Sequence, residues 1–210
     1  MPGDRGDRAG ALLPAHARLV SLSAAIAAGD ASATSDRAAE ALQEGASPEA
    51  VYETLLQSYL FLGFPRAIEA FFAAKPVLAR HGGHRGAALP ADPEAWLHAG
   101  ESLCRRVYGK NYVKLMETMR ALSPDLASWM ILEGYGKTLS RPGLDQVTRE
   151  YCIVAILAVT RMWRQLRSHA IGAIHVGGTR AGVREAIALC APAAGDGAVR
   201  EALHAAGLEP

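Results

Sequence analysis

The sequence has 210 residues, half of them hydrophobic, so it can bury the core of one sizeable domain or of two small repeated units, and a wholly disordered chain is excluded. Its 22 Lys and Arg residues and 21 Asp and Glu residues leave a net charge of +1, which argues against a nucleic-acid-binding protein, because such proteins carry a clustered positive excess. Aromatic residues make up only 6% of the chain, which favours close-packed helices over sheets.

No segment of the sequence predicts insertion into a membrane. The longest uncharged apolar stretch, 151–160, is far shorter than the roughly 18 residues that a spanning helix needs. The first residues, 1–11, alternate charges and lack the apolar run of a signal peptide, so we interpret them as a flexible, solvated tail. A cytoplasmic protein is the expectation.

The first part of the chain predicts four helices. Gly45 is suited to end a helix because glycine tolerates the left-handed backbone conformation. Ser47 followed by Pro48 then supplies an N-cap and a first helical residue. The helices are expected at 13–28, 34–44, from 48 to the break at Gly63–Pro65, and at 66–79.

Residues 80–93 are rich in Gly, Ala and Pro without an apolar period, and are predicted to be a linker. His81 and His84 lie in it, but two histidines without a third ligand do not define a metal site, so no metal is predicted. Beyond the linker, helices are expected at 94–107, 110–122, 125–137, 146–160 and 163–176. A further helix is expected to begin after an N-cap at Thr179, and the last is expected at 197–206.

The end of the sequence repeats its beginning at an offset of 132 residues. Eight of the thirty positions in 45–74 are identical at this offset, among them Gly63, which matches Gly195. We therefore predict a duplicated four-helix unit, at 12–79 and 144–210, with leading helices at 94–143 between the copies. The alternative is coincidence in an Ala-rich chain.

Glu150 and His169 are the candidate acid–base residues of the second copy. Glu150 has core-type helical neighbours such as Ile153 and Val154, and Gly172 leaves space beside the ring of His169. Packing of the two helices against each other would bring the carboxylate and the imidazole into hydrogen-bonding reach, as general acid–base catalysis requires. The alternative for His169 is a packed core histidine.

The first copy lacks this pair. At the repeat offset, Arg37 stands where the second copy has His169. Around Glu150 the alignment is expected to slip by one residue, which places Leu19 or Arg18 there. We therefore expect a structural first copy and a site in the second.

Several other residues are candidates for contact with a substrate. Arg161, Arg164 and Arg167 follow at intervals of three, and a guanidinium among them could bind a carboxylate. The alternative, a solvated face, is favoured for at least two of them. Trp129 and Tyr135 are interpreted first as packing residues and second as the lining of a pocket.

The stretch YGKTLSRPGLDQVTREYCIVAILAVTRMWRQLRSHAIGAIHVGGTRAGVREAI, at 135–187, resembles the carboxymuconolactone decarboxylase family, which includes the alkylhydroperoxidase D-like proteins. The segment GASPEAVYETLLQSYLFLGFPRAIEAF, at 45–71, resembles the C-terminal half of the same unit. This resemblance implies an all-α fold, a duplicated alkylhydroperoxidase D-like helical unit, that assembles into closed rings, and for a doubled chain it implies a trimer.

The resemblance also separates two chemistries. Peroxidase-type members use a CxxC before the histidine that His169 matches, but here the cysteine positions hold Met162 and Gln165, which cannot form a thiolate or a disulfide. A peroxidase that uses Cys152 with a cysteine of another subunit is kept as a minor alternative.

Decarboxylase-type members need no cofactor, and the resemblance favours this class. It implies that His169 donates a proton, that Glu150 orients it or acts as the partner base, and that Gln165 donates to a substrate carbonyl. Arg164 and Tyr135 are the further substrate-binding candidates. We expect a lyase or isomerase of a small carboxylated lactone or β-keto acid. The rival hypothesis is a non-catalytic scaffold or ligand-binding protein.

Overall fold

The computed structural model describes residues 12–83 and 92–208, and every regular element in these two ranges is a helix, which confirms the all-α fold class. The predicted tail at 1–11 and the part of the linker that contains His84 lie outside the described residues. The α-helices are α1 (Pro14–Ala28), α2 (Ala31–Gln43), α3 (Pro48–Gln57), α4 (Tyr59–Arg80), α5 (Pro93–Tyr108), α6 (Tyr112–Leu122), α7 (Pro124–Trp129), α8 (Gln146–Val159), α9 (Trp163–His175), α10 (Arg180–Ala188) and α11 (Ala191–Ala206). A 3-10 turn covers Gly109–Asn111, and a π-helix covers Met130–Leu139.

Four predicted helix limits are wrong. The helix expected from 48 to Gly63 ends at Gln57, with α4 beginning at Tyr59, and the helix expected at 197–206 begins at Ala191. The other two differ for local reasons. Helix α2 begins three residues early, because the Asp30 carboxylate accepts a hydrogen bond from the Ala33 backbone N–H and caps it there. The predicted helix 125–137 is a short α-helix followed by the wider turns of the π-helix. Such turns are rare and concentrate at functional sites.

The duplication is confirmed, and it holds without a slip at the offset of 132. We call α1–α4 the first repeat and α8–α11 the second. Gly63 breaks α4 with φ 76° and ψ 166°, and Gly195 breaks α11 with φ 79° and ψ 157°. Gly29 ends α1 with φ 79°, and its counterpart Arg161 is the one non-glycine residue of the described ranges with a positive φ, 59°.

The two repeats pack together through α1 and α8. Helix α2 packs on α1 and α4, and in the same way α9 packs on α8 and α11. All side chains from Thr148 to Ala158 of α8 are buried, as expected of a helix that is surrounded by other helices. This helix has only 14 residues, and no helix within the described ranges is both long and apolar enough to cross a bilayer.

A buried ion-pair cluster links α8 to the first repeat. Arg149, on α8, is 1% exposed and donates from Nη2 to Oε2 of Glu53 on α3 over 2.9 Å. Glu53 also accepts from Arg141 over 2.9 Å, and Arg149 donates from Nη1 to the side-chain oxygen of Gln57 over 3.2 Å. Burial lowers the pKa of Arg149, and the hydrogen bond and charge of Glu53 oppose that shift. The cluster holds α8 in one rotational setting against α3.

Helix α5 and the π-helix cross at two glycines. A Cβ on Gly100 would collide with the Ile131 carbonyl oxygen, and a Cβ on Gly136 would collide with that of Trp96. Because neither position carries a side chain, the two backbones approach closely. The approach brings the rings of Tyr108 and Tyr135 to a centroid distance of 6.3 Å.

The Arg149→Met substitution is expected to lower the free energy of unfolding by about 3–5 kcal/mol, because it leaves the Glu53 carboxylate buried with one of its two cations missing. The measurement is equilibrium unfolding in urea. Arg161→Met is the matched control: it breaks a pair with Glu201 whose side chains are both about half exposed, and should cost no more than about 1 kcal/mol. Equal losses for the two variants would contradict the prediction.

Candidate active site

The structure brings the predicted acid and base together. Glu150 on α8 and His169 on α9 are 2% and 6% exposed, and Oε2 of the carboxylate lies 2.8 Å from Nδ1 of the ring. Gly172, one turn after the histidine, makes this possible, because a Cβ there would lie 3.2 Å from the same carboxylate oxygen and too close to Val107. The contact occupies Nδ1 and leaves Nε2 of His169 for exchange of a proton.

Three aromatic side chains surround this acid–base pair. Phe61, from the first repeat, meets the His169 ring edge-on, with a centroid distance of 5.6 Å and an interplanar angle of 85°. Burial raises the pKa of Tyr108 to about 12 and that of Tyr135 well above its usual value, and the charge of Glu150 contributes in the same direction. A hydrogen bond joins the two hydroxyls; it raises the pKa of Tyr135, the donor, and lowers that of Tyr108, the acceptor. Tyr108 thus keeps its own proton to donate.

His169 opens onto a cavity of about 590 Å³, which we call the site cavity. Its lining comes from α4, α5, α6, α7, the π-helix and α9, namely Tyr59, Leu60, Phe61, Phe64, Tyr108, Leu115, Thr118, Met119, Leu122, Leu126, Trp129, Met130, Glu133, Gly134, Tyr135, Leu139, Arg164, Gln165, Ser168 and His169. Four of the five candidate site residues are among them, and the fifth, Glu150, lies behind the imidazole. Trp129 is 60% exposed and lines the cavity as well.

The lining includes polar groups that the sequence did not single out. The Tyr59 hydroxyl lies 2.8 Å from the Thr138 hydroxyl and donates to the Glu133 carboxylate over 3.3 Å. Lys137 pairs with the same carboxylate at 3.5 Å. The comparison of the two copies contained a signal for part of this wall, because Tyr59 and Phe61 correspond to the alanines at 191 and 193.

The same positions of the first repeat hold an ion-pair cluster instead. Arg18 corresponds to Glu150, so the expected slip in the alignment and the Leu19 alternative are wrong. Arg18 and Arg37 both pair with Glu40, at 3.2 Å and 2.6 Å, and Glu40 occupies the place of Gly172. The first repeat thus has no carboxylate–imidazole pair at the equivalent place.

The remaining candidates lie away from the site cavity. Arg161 pairs with Glu201, Arg167 is exposed outside the lining, and of the three arginines only Arg164 reaches the cavity. The His81 ring lies 3.0 Å from the Val77 carbonyl oxygen. Over 12–83 and 92–208 no group of three or more His, Cys, Asp or Glu side chains is placed to hold a metal.

Comparison with known proteins gives one family. The model of the carboxymuconolactone decarboxylase family matches residues 4–76 and 124–207, which together make up most of the chain. The first segment covers the first repeat up to residue 76 of α4, and the second contains the whole second repeat together with α7 and the π-helix. No curated protein matches the chain.

The three cysteines, Cys104, Cys152 and Cys190, are buried and unpaired. Burial raises the pKa of each thiol to about 12, so all three are protonated at neutral pH. Since the thiolate is the reactive form, this environment does not support the peroxidase alternative based on Cys152.

The folded protein is therefore expected to resist iodoacetamide at neutral pH, because each thiol is both buried and protonated. Mass spectrometry of the intact chain should show no adduct in buffer and adducts on all three cysteines in guanidinium chloride. Rapid labelling of Cys152 in the folded protein would contradict the prediction and would support the peroxidase alternative based on Cys152.

Proposed function

The chain belongs to the carboxymuconolactone decarboxylase family, and from this premise we propose that it is a cofactor-free decarboxylase or isomerase of a carboxylated lactone or related β-keto acid. The observation that carries the proposal is the 2.8 Å contact of Glu150 with His169 at the wall of a cavity. A carboxylate that holds an imidazole in one tautomer, beside a space for a small acid, is the arrangement of a general acid–base catalyst.

In the proposed reaction, the bond between the carboxylate carbon and the α-carbon breaks and CO₂ leaves. The bonding electron pair moves into the conjugated carbonyl and gives an enolate. Protonated His169, whose Nδ1–H donates to Glu150, delivers the proton on Nε2 to the carbon of this enolate. Solvent then restores the proton on the imidazole, so one proton is consumed for each CO₂ released. An isomerase would use the same two groups to remove and return a proton.

The enolate oxygen needs hydrogen-bond donors, and the site cavity offers them. Tyr108, Tyr135 and the amide of Gln165 all line it. The Tyr135 hydroxyl donates to the Tyr108 hydroxyl, so Tyr108 and Gln165 are the groups with a proton left for the enolate oxygen. Donors that are already oriented stabilise developing charge without reorganisation at the moment of reaction. Arg164 is the guanidinium available for a carboxylate of the substrate.

The rival function is a non-catalytic scaffold or ligand-binding protein. A scaffold has no need to keep a carboxylate–imidazole pair beside a cavity, and sealing the pair under bulky side chains would favour that role. His169 instead lines the cavity, which supports the enzyme over the scaffold.

His169→Asn and Glu150→Gln are each expected to lower turnover by about 100-fold or more, because the first removes the proton donor and the second removes the charge that orients it. The measurement is CO₂ release across a panel of carboxylated lactones and β-keto acids. Circular dichroism should show unchanged helicity. His175→Asn is the control on the same helix: its ring lies 2.7 Å from the Val107 carbonyl and outside the cavity. Wild-type turnover by the His169 variant would refute the proposed mechanism.

We also propose that the chain forms a homo-oligomer, with a trimer favoured. The support is an exposed apolar area on α4, where Ile68 and Phe72 are 49% and 64% exposed. Together with Tyr52 and Phe71 they line an apolar groove of about 560 Å³ on the surface of the first repeat. A protein in water gains free energy when it buries such an area against a copy of itself.

Light scattering after size-exclusion chromatography is expected to give three times the chain mass of 22.2 kDa. Ile68→Glu should shift the mass towards the monomer, because it places a charge in the apolar contact. Val113→Glu on α6, which changes a residue of similar exposure outside this groove, serves as the control. A monomeric wild-type protein would contradict the oligomer.

A further inference from the structure

The two repeats differ most informatively at the break in their fourth helices. In the first repeat the residues from Tyr59 to Phe64 read YLFLGF, which we call the aromatic segment. The matching residues of the second repeat read APAAGD. Yet both segments build the same backbone, with Gly63 at φ 76°, ψ 166° and Gly195 at φ 79°, ψ 157°. The backbone therefore does not need the aromatic side chains.

What the aromatic side chains share is the space that they face. Tyr59, Phe61 and Phe64 all line the site cavity, and Phe61 also contacts the His169 ring. Phe64 is 65% exposed, so its ring is not retained for burial in the core of the chain. The aromatic side chains of this segment are thus positioned to contact a ligand in the cavity.

The rest of the cavity fits a large apolar ligand. Helices α6 and α7 contribute Leu115, Met119, Leu122, Leu126 and Trp129, while Arg164, Gln165 and His169 supply polar groups from α9. A volume of about 590 Å³ lies in the range of about 300–1,000 Å³ that encloses drug-sized ligands. A small lactone acid would leave most of this apolar surface without a contact.

We propose that the substrate is a flat polycyclic acid, with its fused rings against the aromatic segment and its carboxylate and carbonyl end at Arg164, Gln165 and His169. The inference rests on the proposed function, because it takes the polar end to be the group on which His169 acts. Aromatic rings favour such a partner through stacked and edge-on contacts, which add to the gain from buried apolar area.

The test is isothermal titration of three unreactive acids: benzoate, 2-naphthoate and decalin-2-carboxylate. We expect 2-naphthoate to bind about tenfold more tightly than benzoate, because its second ring buries more apolar area. It should also bind several-fold more tightly than decalin-2-carboxylate, which has the same carbon skeleton but is neither flat nor aromatic.

Two phenylalanines of α4 provide a matched pair of variants. Phe64 and Phe72 are 65% and 64% exposed, and only Phe64 lines the site cavity. Phe64→Ala should remove most of the advantage of 2-naphthoate over benzoate. Phe72→Ala changes the groove proposed as the oligomer contact and not the site cavity, and should leave both affinities unchanged. Light scattering of both variants separates a change of assembly from the loss of a ligand contact. Because both side chains are exposed, neither change is expected to unfold the protein.

Equal affinities for benzoate and 2-naphthoate would overturn the polycyclic ligand, and so would an equal loss in the two phenylalanine variants. Equal affinities for 2-naphthoate and decalin-2-carboxylate would overturn its flat, aromatic character. These measurements involve no turnover. Turnover of small acids that depends on His169, together with equal affinities, would leave the proposed function standing and refute the ligand class. If the affinities are as expected but no acid is decarboxylated, the ligand class stands and the proposed function is refuted.

Discussion

The contact between Arg149 and Glu53 is the constraint on which the candidate site depends. A buried guanidinium must keep its partners, and those partners lie on α3 of the first repeat and in the turn before α8. Rotation of α8 about its axis would break these contacts. The next residue along the helix, about 100° further around, is Glu150. The ion pair therefore fixes the direction in which the Glu150 carboxylate points, towards His169 on α9.

The duplicated architecture explains why the site is asymmetric. One pair of equivalent positions holds Glu150 and His169, and the other holds Arg18 and Arg37, both of which pair with Glu40. The first repeat still contributes to the site, because its aromatic segment forms one wall of the cavity. Neither repeat builds the site alone. The acid–base groups come from the second repeat, the aromatic segment comes from the first, and most of the remaining apolar lining comes from the helices between them.

The sequence predicted two kinds of feature: those that depend on residues close together in the chain, and those that recur in both repeats. Ser47 and Thr179 cap the helices that they were predicted to cap, and Glu150 and His169 lie on consecutive helices. The sequence did not predict the contacts between residues that are far apart in the chain. Arg149 reaches partners 92 and 96 residues away, and in the sequence it is only the central residue of a TRE motif. The close crossing of the π-helix with α5 likewise joins two glycines that are far apart in the chain, Gly100 and Gly136.

The apolar character of the cavity has a consequence for the chemistry proposed. A carboxylate with localised charge is well solvated by water and poorly solvated by leucine, methionine and phenylalanine side chains. In the transition state of the proposed decarboxylation this charge spreads towards the carbonyl, where Tyr108 and Gln165 would donate hydrogen bonds. In the proposed arrangement the carboxylate lies at the polar end beside Arg164, so the advantage of the transition state comes from the donors at the carbonyl, which bind an enolate oxygen more strongly than a ketone oxygen. The polar end and the apolar length of the cavity would thus serve different parts of the proposed polycyclic acid, the first its reacting groups and the second its fused rings.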